Sequence, residues 1–113
     1  MKIGDREVRI VAPDSLTLRH EIVAAAGSNW RRAFGAALGI CWRGAGKPST
    51  RYAACDYSPL KYGGEVIDEL TARGDDLGEI MTAGGEAFAL LAEGIISENE
   101  VKETADFIEP AGE

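Results

Sequence analysis

Hydrophobic positions along the chain change period once, near residue 12. Before it, Val8 and Ile10 alternate with Glu7 and Arg9, and Gly4, Asp5 and Arg6 separate them from Lys2 and Ile3. Alternation around a turn predicts a short strand or hairpin within residues 1–12. Pro13, Asp14 and Ser15 end it and open a helix over Leu16–Ala26, with Leu18, Ile22, Val23, Ala25 and Ala26 on one face and Gly27 as its stop. Ser28 or Asn29 then caps a second helix, Trp30–Trp42. In it Trp30, Phe34, Leu38 and Cys41 or Trp42 recur at helical spacing, and Ala33, Ala37 and Ile40 widen the stripe. Gly35 and Gly39 stand four apart in this helix. An interior glycine costs about 1 kcal/mol relative to alanine, so close approach by a second backbone is the expected compensation, either inside the core or in a self-association groove.

Residues 44–57, GAGKPSTRYAACDY, form the longest irregular stretch, with one short turn of helix over Arg51–Asp56 as the alternative. Ser58 followed by Pro59 gives the preferred order for a helix start. This third helix carries Leu60, Val66, Ile67 and Leu70 inward, has weak points at Gly63 and Gly64, and stops at Gly74 after Arg73. Asp75 and Asp76 place acids at the start of a fourth helix, Leu77–Glu93, where the helix dipole favours them. Its apolar contacts are Ile80, Met81, Phe88, Leu90 and Leu91, and Gly94 ends it. Ser97 with Glu100 makes a capping box, flanked by Ile96 and Val101 as a staple, and opens a short fifth helix from Glu98 to about Phe107. Residues 109–113 read as a frayed acidic tail. The fold expected is mainly α: one domain over 1–113, a compact bundle of about five helices with a short N-terminal strand or hairpin.

A chain of 113 residues buries ~65% of the surface it exposes when unfolded, enough for a core without staples. The longest apolar region, residues 24–42, is broken by Ser28, Asn29, Arg31 and Arg32, so no membrane segment is expected. Charges in MKIGDREVRIV stand where a signal peptide would be apolar, and two cysteines suit a reducing compartment, which points to the cytoplasm. Charge is unevenly spread. Residues 1–64 hold ten Lys or Arg against five acids, a balance of +5, whereas residues 65–113 hold two against fourteen, a balance of −12. Such asymmetry orients a partner or simply keeps the protein soluble, and specific nucleic-acid binding is not expected.

The stretch RGAGKPST invites comparison with a phosphate-binding loop, GxxxxGK[ST]. The first glycine of that pattern falls on Cys41 and the hydroxyl position on Pro48, which has no amide hydrogen and does not lead into a phosphate-capping helix. Nucleotide binding is not expected, nor is any cofactor. His20 lies beside Glu21 on a helix, about 100° away, and reads as a surface histidine. Cys41, Cys55 and His20 lack the spacing of a zinc site, although the two cysteines could pair in principle. Glu65, Asp68 and Glu69 share a helical face of the kind commonest on solvated surfaces. No nucleophile turn such as GxSxG is present, so the chain is not expected to be an enzyme.

Two segments, YSPLKYGGEVIDELTARG (57–74) and EIMTAGGEAFALLAEGIISENEVKETADF (79–107), resemble the later part of small tail assembly chaperones of long-tailed bacteriophages and prophages. The matching positions are Gly39, Ile40 and Trp42; Tyr62, Gly63, Val66, Asp68, Glu69 and Leu70; Gly85, Phe88 and Leu91; and Glu100, Val101, Ala105 and Phe107. The resemblance covers roughly half to two thirds of the chain through short helical patterns. It implies a non-enzymatic protein of the bacterial host cytoplasm that binds the long, aggregation-prone tape measure protein, helps recruit tail tube subunits, and leaves before the particle is complete. Joined to the basic, aromatic loop, it implies partner contacts at Trp42, Arg43, Lys47, Arg51, Tyr52 and Tyr57, with self-association as a further contact. The alternative of a different class is a head-tail or tail completion subunit that stays in the particle; a small enzyme or nucleotide-binding regulator comes third.

Overall fold

Each described helix begins where a side chain accepts a hydrogen bond from an otherwise orphaned backbone amide, the role that Ser, Asn and Asp play at helix starts. A computed structural model gives the fold and describes residues 2–4, 6–49 and 58–93. The Ser15 hydroxyl accepts from the Leu18 amide and opens α1, Leu16–Ala25. Asn29 accepts from Arg32 and opens α2, Trp30–Cys41. Ser58 accepts from Lys61 and opens α3, Pro59–Ala72, with Pro59 in the first turn. Asp76 accepts from Glu79 at the start of α4, which covers residues 77–93. Arg73 and Gly74 close α3: Gly74 has φ 94°, its amide bonds the Thr71 carbonyl, and the Asp75 amide bonds the Leu70 carbonyl. That pair of bonds is a Schellman ending, and it needs the left-handed residue that glycine supplies. α1 ends differently from expectation. Gly27 is not left-handed and only occupies the turn after Ala26.

Four two-residue strands complete the description. β1 (Lys2–Ile3) pairs with β2 (Arg6–Glu7) as a hairpin around Gly4. β3 (Arg9–Ile10) pairs antiparallel with β4 (Trp42–Arg43), Ile10 opposite Trp42. Trp42 therefore does not end the second helix, as its apolar spacing suggested. Its backbone is extended, at φ −64° and ψ 129°, and returns along the N-terminal segment. Ile3 and Val8 are buried, so the hairpin closes one end of the helical core. The Gly4 amide donates to Glu79 at 2.9 Å, and Arg6 pairs with Asp75, fixing the hairpin to the corner between α3 and α4.

α2 is the central helix, and small residues set how near its neighbours come. A Cβ on Gly35 would stand 2.5 Å from the Gly63 carbonyl, and one on Gly39 would stand 2.5 Å from the Tyr62 hydroxyl. Conversely, a Cβ on Gly63 would overlap the Arg32 carbonyl and lie 2.8 Å from the Ala36 nitrogen. Gly63 is thus a requirement of the α2–α3 contact, where the sequence suggested a weak point. On α4, Gly84 approaches Phe34 in the same way, with 2.8 Å from a built Cβ to the Phe34 carbonyl. The close backbone approach expected at Gly35 and Gly39 is made inside the core at Gly35, by Gly63 of α3, whereas at Gly39 the space is taken by the Tyr62 and Val66 side chains. Leu38, Trp42, Val66, Leu70, Ile80 and Leu91 fill that core, together with Tyr62, which the helical pattern had not placed inward. Trp30 is the reverse case, 50% exposed where the stripe placed it in the core.

The described residues form a compact, mainly α globule of four helices with short strands at the N-terminal end. The expected stop at Gly94, the Ser97–Glu100 capping box, the fifth helix and the acidic tail lie outside the described residues, as does Arg51–Asp56. No helix among the described residues is long and apolar enough to cross a membrane.

Candidate functional site

The loop that drew attention in the sequence is held by its own fold. Gly44 and Gly46 take positive φ, 103° and 83°, and turn the chain back after β4. The Trp42 indole donates to the Ala45 carbonyl at 3.1 Å, and Arg73 donates to the Gly46 carbonyl at 2.6 Å. Pro48 is buried. Glu69 then takes both the Ser49 amide, at 2.8 Å, and the Ser49 hydroxyl, at 3.0 Å, while Arg73 holds it from the next turn at 2.7 Å. A carboxylate therefore holds both Ser49 donors and ties the loop to α3. Glu69, on the face whose acids suggest a solvated surface, is the loop's anchor on α3.

Of the six side chains nominated as partner contacts, Trp42 is wholly buried, and its indole face lies 5.8 Å from the Arg6 guanidinium. Its polar edge is already used, which makes it a core group. Arg43 is half-buried and turned inward, donating to the Ile40 and Trp42 carbonyls at 2.9 and 3.0 Å. It caps the C-terminal end of α2, where a cation is favoured. Lys47 is exposed. Arg51, Tyr52 and Tyr57 lie outside the described residues.

A groove that the sequence did not disclose opens on another face. It encloses about 260 Å³ between the start of α2, the middle of α3 and the start of α4. Arg31 and Arg32 line the α2 side, Ile67 and Asp68 the α3 side, and Leu77 and Met81 the α4 side. Leu77 is 47% exposed. Beside the groove Trp30 carries the Arg31 guanidinium 5.3 Å from its ring centre and packs edge-on against Phe34, which in turn meets Phe88. A half-exposed leucine in a concavity flanked by two arginines makes this face the candidate docking surface. The signal available in the sequence was NWRR, an aromatic next to two arginines at a helix start, but the apolar stripe absorbed the tryptophan into the core.

Other chemistry is sparse. Cys41 is a buried free thiol whose pKa burial pushes up to about 11, against the pull of Arg43, Arg19 and Lys47. That makes it a packing group, because the thiolate is the reactive form. Burial also raises Tyr62 to about 12, with Glu69 and Cys41 adding to the effect. His20 is exposed and its Nδ1 lies 2.8 Å from the Leu16 carbonyl of its own helix. Among the described residues no group of three His, Cys, Asp or Glu side chains could hold a metal ion. Comparison of the chain with family models, with curated proteins and with solved structures finds no match.

Proposed function

We propose that this protein is a non-enzymatic tail assembly chaperone of a bacteriophage or prophage, acting in the host cytoplasm on the tape measure protein during tail morphogenesis. The observation that carries the reading is the open groove between α2, α3 and α4 beside an exposed tryptophan, in a protein otherwise made of packed helices. A tape measure protein is a long helical chain, and an amphipathic helix binds by laying its apolar face into such a groove. The resemblance supplies the identity of the client. Its positions Tyr62, Gly63, Val66 and Leu70 are all buried, which fits a pattern tied to the helical packing that frames the groove. Recruitment of tail tube subunits and self-association belong to the same proposal as further contacts. A permanent completion subunit of the particle is less favoured, because the described strands are only two residues long and offer little sheet for a ring.

The test is co-expression with the tape measure protein encoded in the same gene cluster. The reading expects the tape measure protein to pass from the pellet to the soluble fraction when this chain is present. Equal solubility with and without it would remove the proposal.

A further inference from the structure

We propose that the groove between α2, α3 and α4 seats a partner helix of defined charge: apolar along one stripe, acidic on the flank that meets Arg31 and Arg32, and uncharged or basic on the flank that meets Asp68. The inference takes only the partner's identity from the chaperone reading; the chemistry of the seat stands on the groove itself.

Volume is the first argument. About 260 Å³ falls below the ~300–1,000 Å³ of usual small-molecule sites, and suits one or two apolar side chains standing out from a helix. Ile67, Leu77 and Met81 supply the apolar contact, and Trp30, 50% exposed, reaches the groove through the Arg31 guanidinium that lies over its ring. Charge is the second. Arg31 and Arg32 are both exposed, and among the described residues neither forms an ion pair. They stand together on one side and the exposed Asp68 stands on the other, so the groove has a positive and a negative rim. Arg32 also lies over Gly64, where a built Cβ would be 3.3 Å from its Nε, so the missing side chain there keeps the guanidinium low along the groove. Complementary rims set register and exclude wrong partners more than they add affinity. A second copy of this chain suits the seat poorly, because a two-fold contact sets groove against groove and neither copy then fills the other's concavity.

The experiment uses the full chain and two synthetic amphipathic helices of about 18 residues, identical in their leucine stripe, one flanked by Glu and the other by Lys. Binding is followed through Trp30 fluorescence, since Trp42 is buried, and a Trp30→Phe variant assigns the signal. Saturable binding of the Glu peptide is expected, about tenfold tighter than the Lys peptide at low salt. The Arg31→Glu, Arg32→Glu double variant should invert that preference. Both positions are exposed and lie in the first turn of α2, where acids suit the helix dipole, so the variant should keep its helical circular dichroism. Equal binding of both peptides, or an unchanged preference in the double variant, overturns the proposal. So does a dimer of the wild-type chain that dissociates in the double variant, because that assigns the groove to a second copy. Charge preference without solubilisation of the tape measure protein counts against the chaperone reading alone; solubilisation that is indifferent to the double variant counts against this seat alone.

Discussion

Gly63 and Gly64 are adjacent in α3 and have opposite meanings. A side chain on Gly63 meets backbone first, the Arg32 carbonyl and the Ala36 nitrogen, and backbone does not give way cheaply. A side chain on Gly64 meets the Arg32 side chain, which is flexible. Gly63→Ala should therefore lower the unfolding free energy by more than ~2 kcal/mol, from overpacking between α2 and α3. Gly64→Ala should stay within about 1 kcal/mol of wild type, since the gain in helix propensity offsets a small displacement of Arg32. Urea unfolding of the two variants decides this, and equal losses would mean that the helices are further apart than described. Buried acids make a second prediction at this scale. Cys41 and Tyr62 lose their protons at about 11 and 12 in the folded state, against ordinary values of 9.0 and 10.0. The unfolded chain gives up these protons first, so their contribution is full below about pH 9 and fades as pH rises towards 12. The urea midpoint should fall over that window, and fall less in Tyr62→Phe; a midpoint rising with pH there would contradict the burial of both groups. The sequence held the tight approach at Gly35 and Gly39 in their spacing. It did not hold the need for Gly63, because the demand comes from the partner helix.

At the scale of elements, the helix starts and the stop at Gly74 were legible because they are local. Ser15, Asn29, Ser58 and Asp76 each bond an amide three residues on, and Gly74 needs only its own φ. What local signals lack is the pairing of residues 9–10 with 42–43, which turns Trp42 from a helical residue into a strand residue. The same limit hid the anchoring of the loop, since Ser49 and Glu69 are twenty residues apart. Trp30 was misplaced for a related reason. Periodicity assigns a stripe to the whole helix, but Trp30 is its first residue, packs edge-on against Phe34 and keeps half its surface in water. Because Glu69 accepts from both the Ser49 amide and the Ser49 hydroxyl, Glu69→Ala should speed hydrogen exchange at Ser49 at least about tenfold, which is the loss of a bond stabilised by ~1.4 kcal/mol or more. Amides in the middle of α3 should be unaffected. Unchanged exchange at Ser49 would show that the loop is held by Pro48 and Arg73 without the carboxylate.

The whole molecule joins a helical core to two surfaces of different kind. One is the anchored loop over residues 44–49, tied to α3 through Ser49 and Glu69 and carrying Pro48 at the hydroxyl position of a phosphate loop; titration with ATP or GTP and magnesium should give no heat of binding, and micromolar affinity lost in Lys47→Ala would reverse that reading. The other is the groove, with its arginine rim, aspartate rim and half-exposed Leu77, next to Trp30 under Arg31. In a chain of net charge −7, the two arginines form a local positive feature that steers an acidic helix to that face. The uneven charge of the two halves was legible in composition, but its concentration at one groove depends on how α2, α3 and α4 cross. The most direct measurement of the chaperone account is the mass, by light scattering during size exclusion at low salt, of the species formed when this chain and the tape measure protein are produced together. The account predicts one soluble complex containing both chains, weakened as salt is raised. Separate elution of this chain at its own mass, with the tape measure protein aggregated as it is alone, would contradict it.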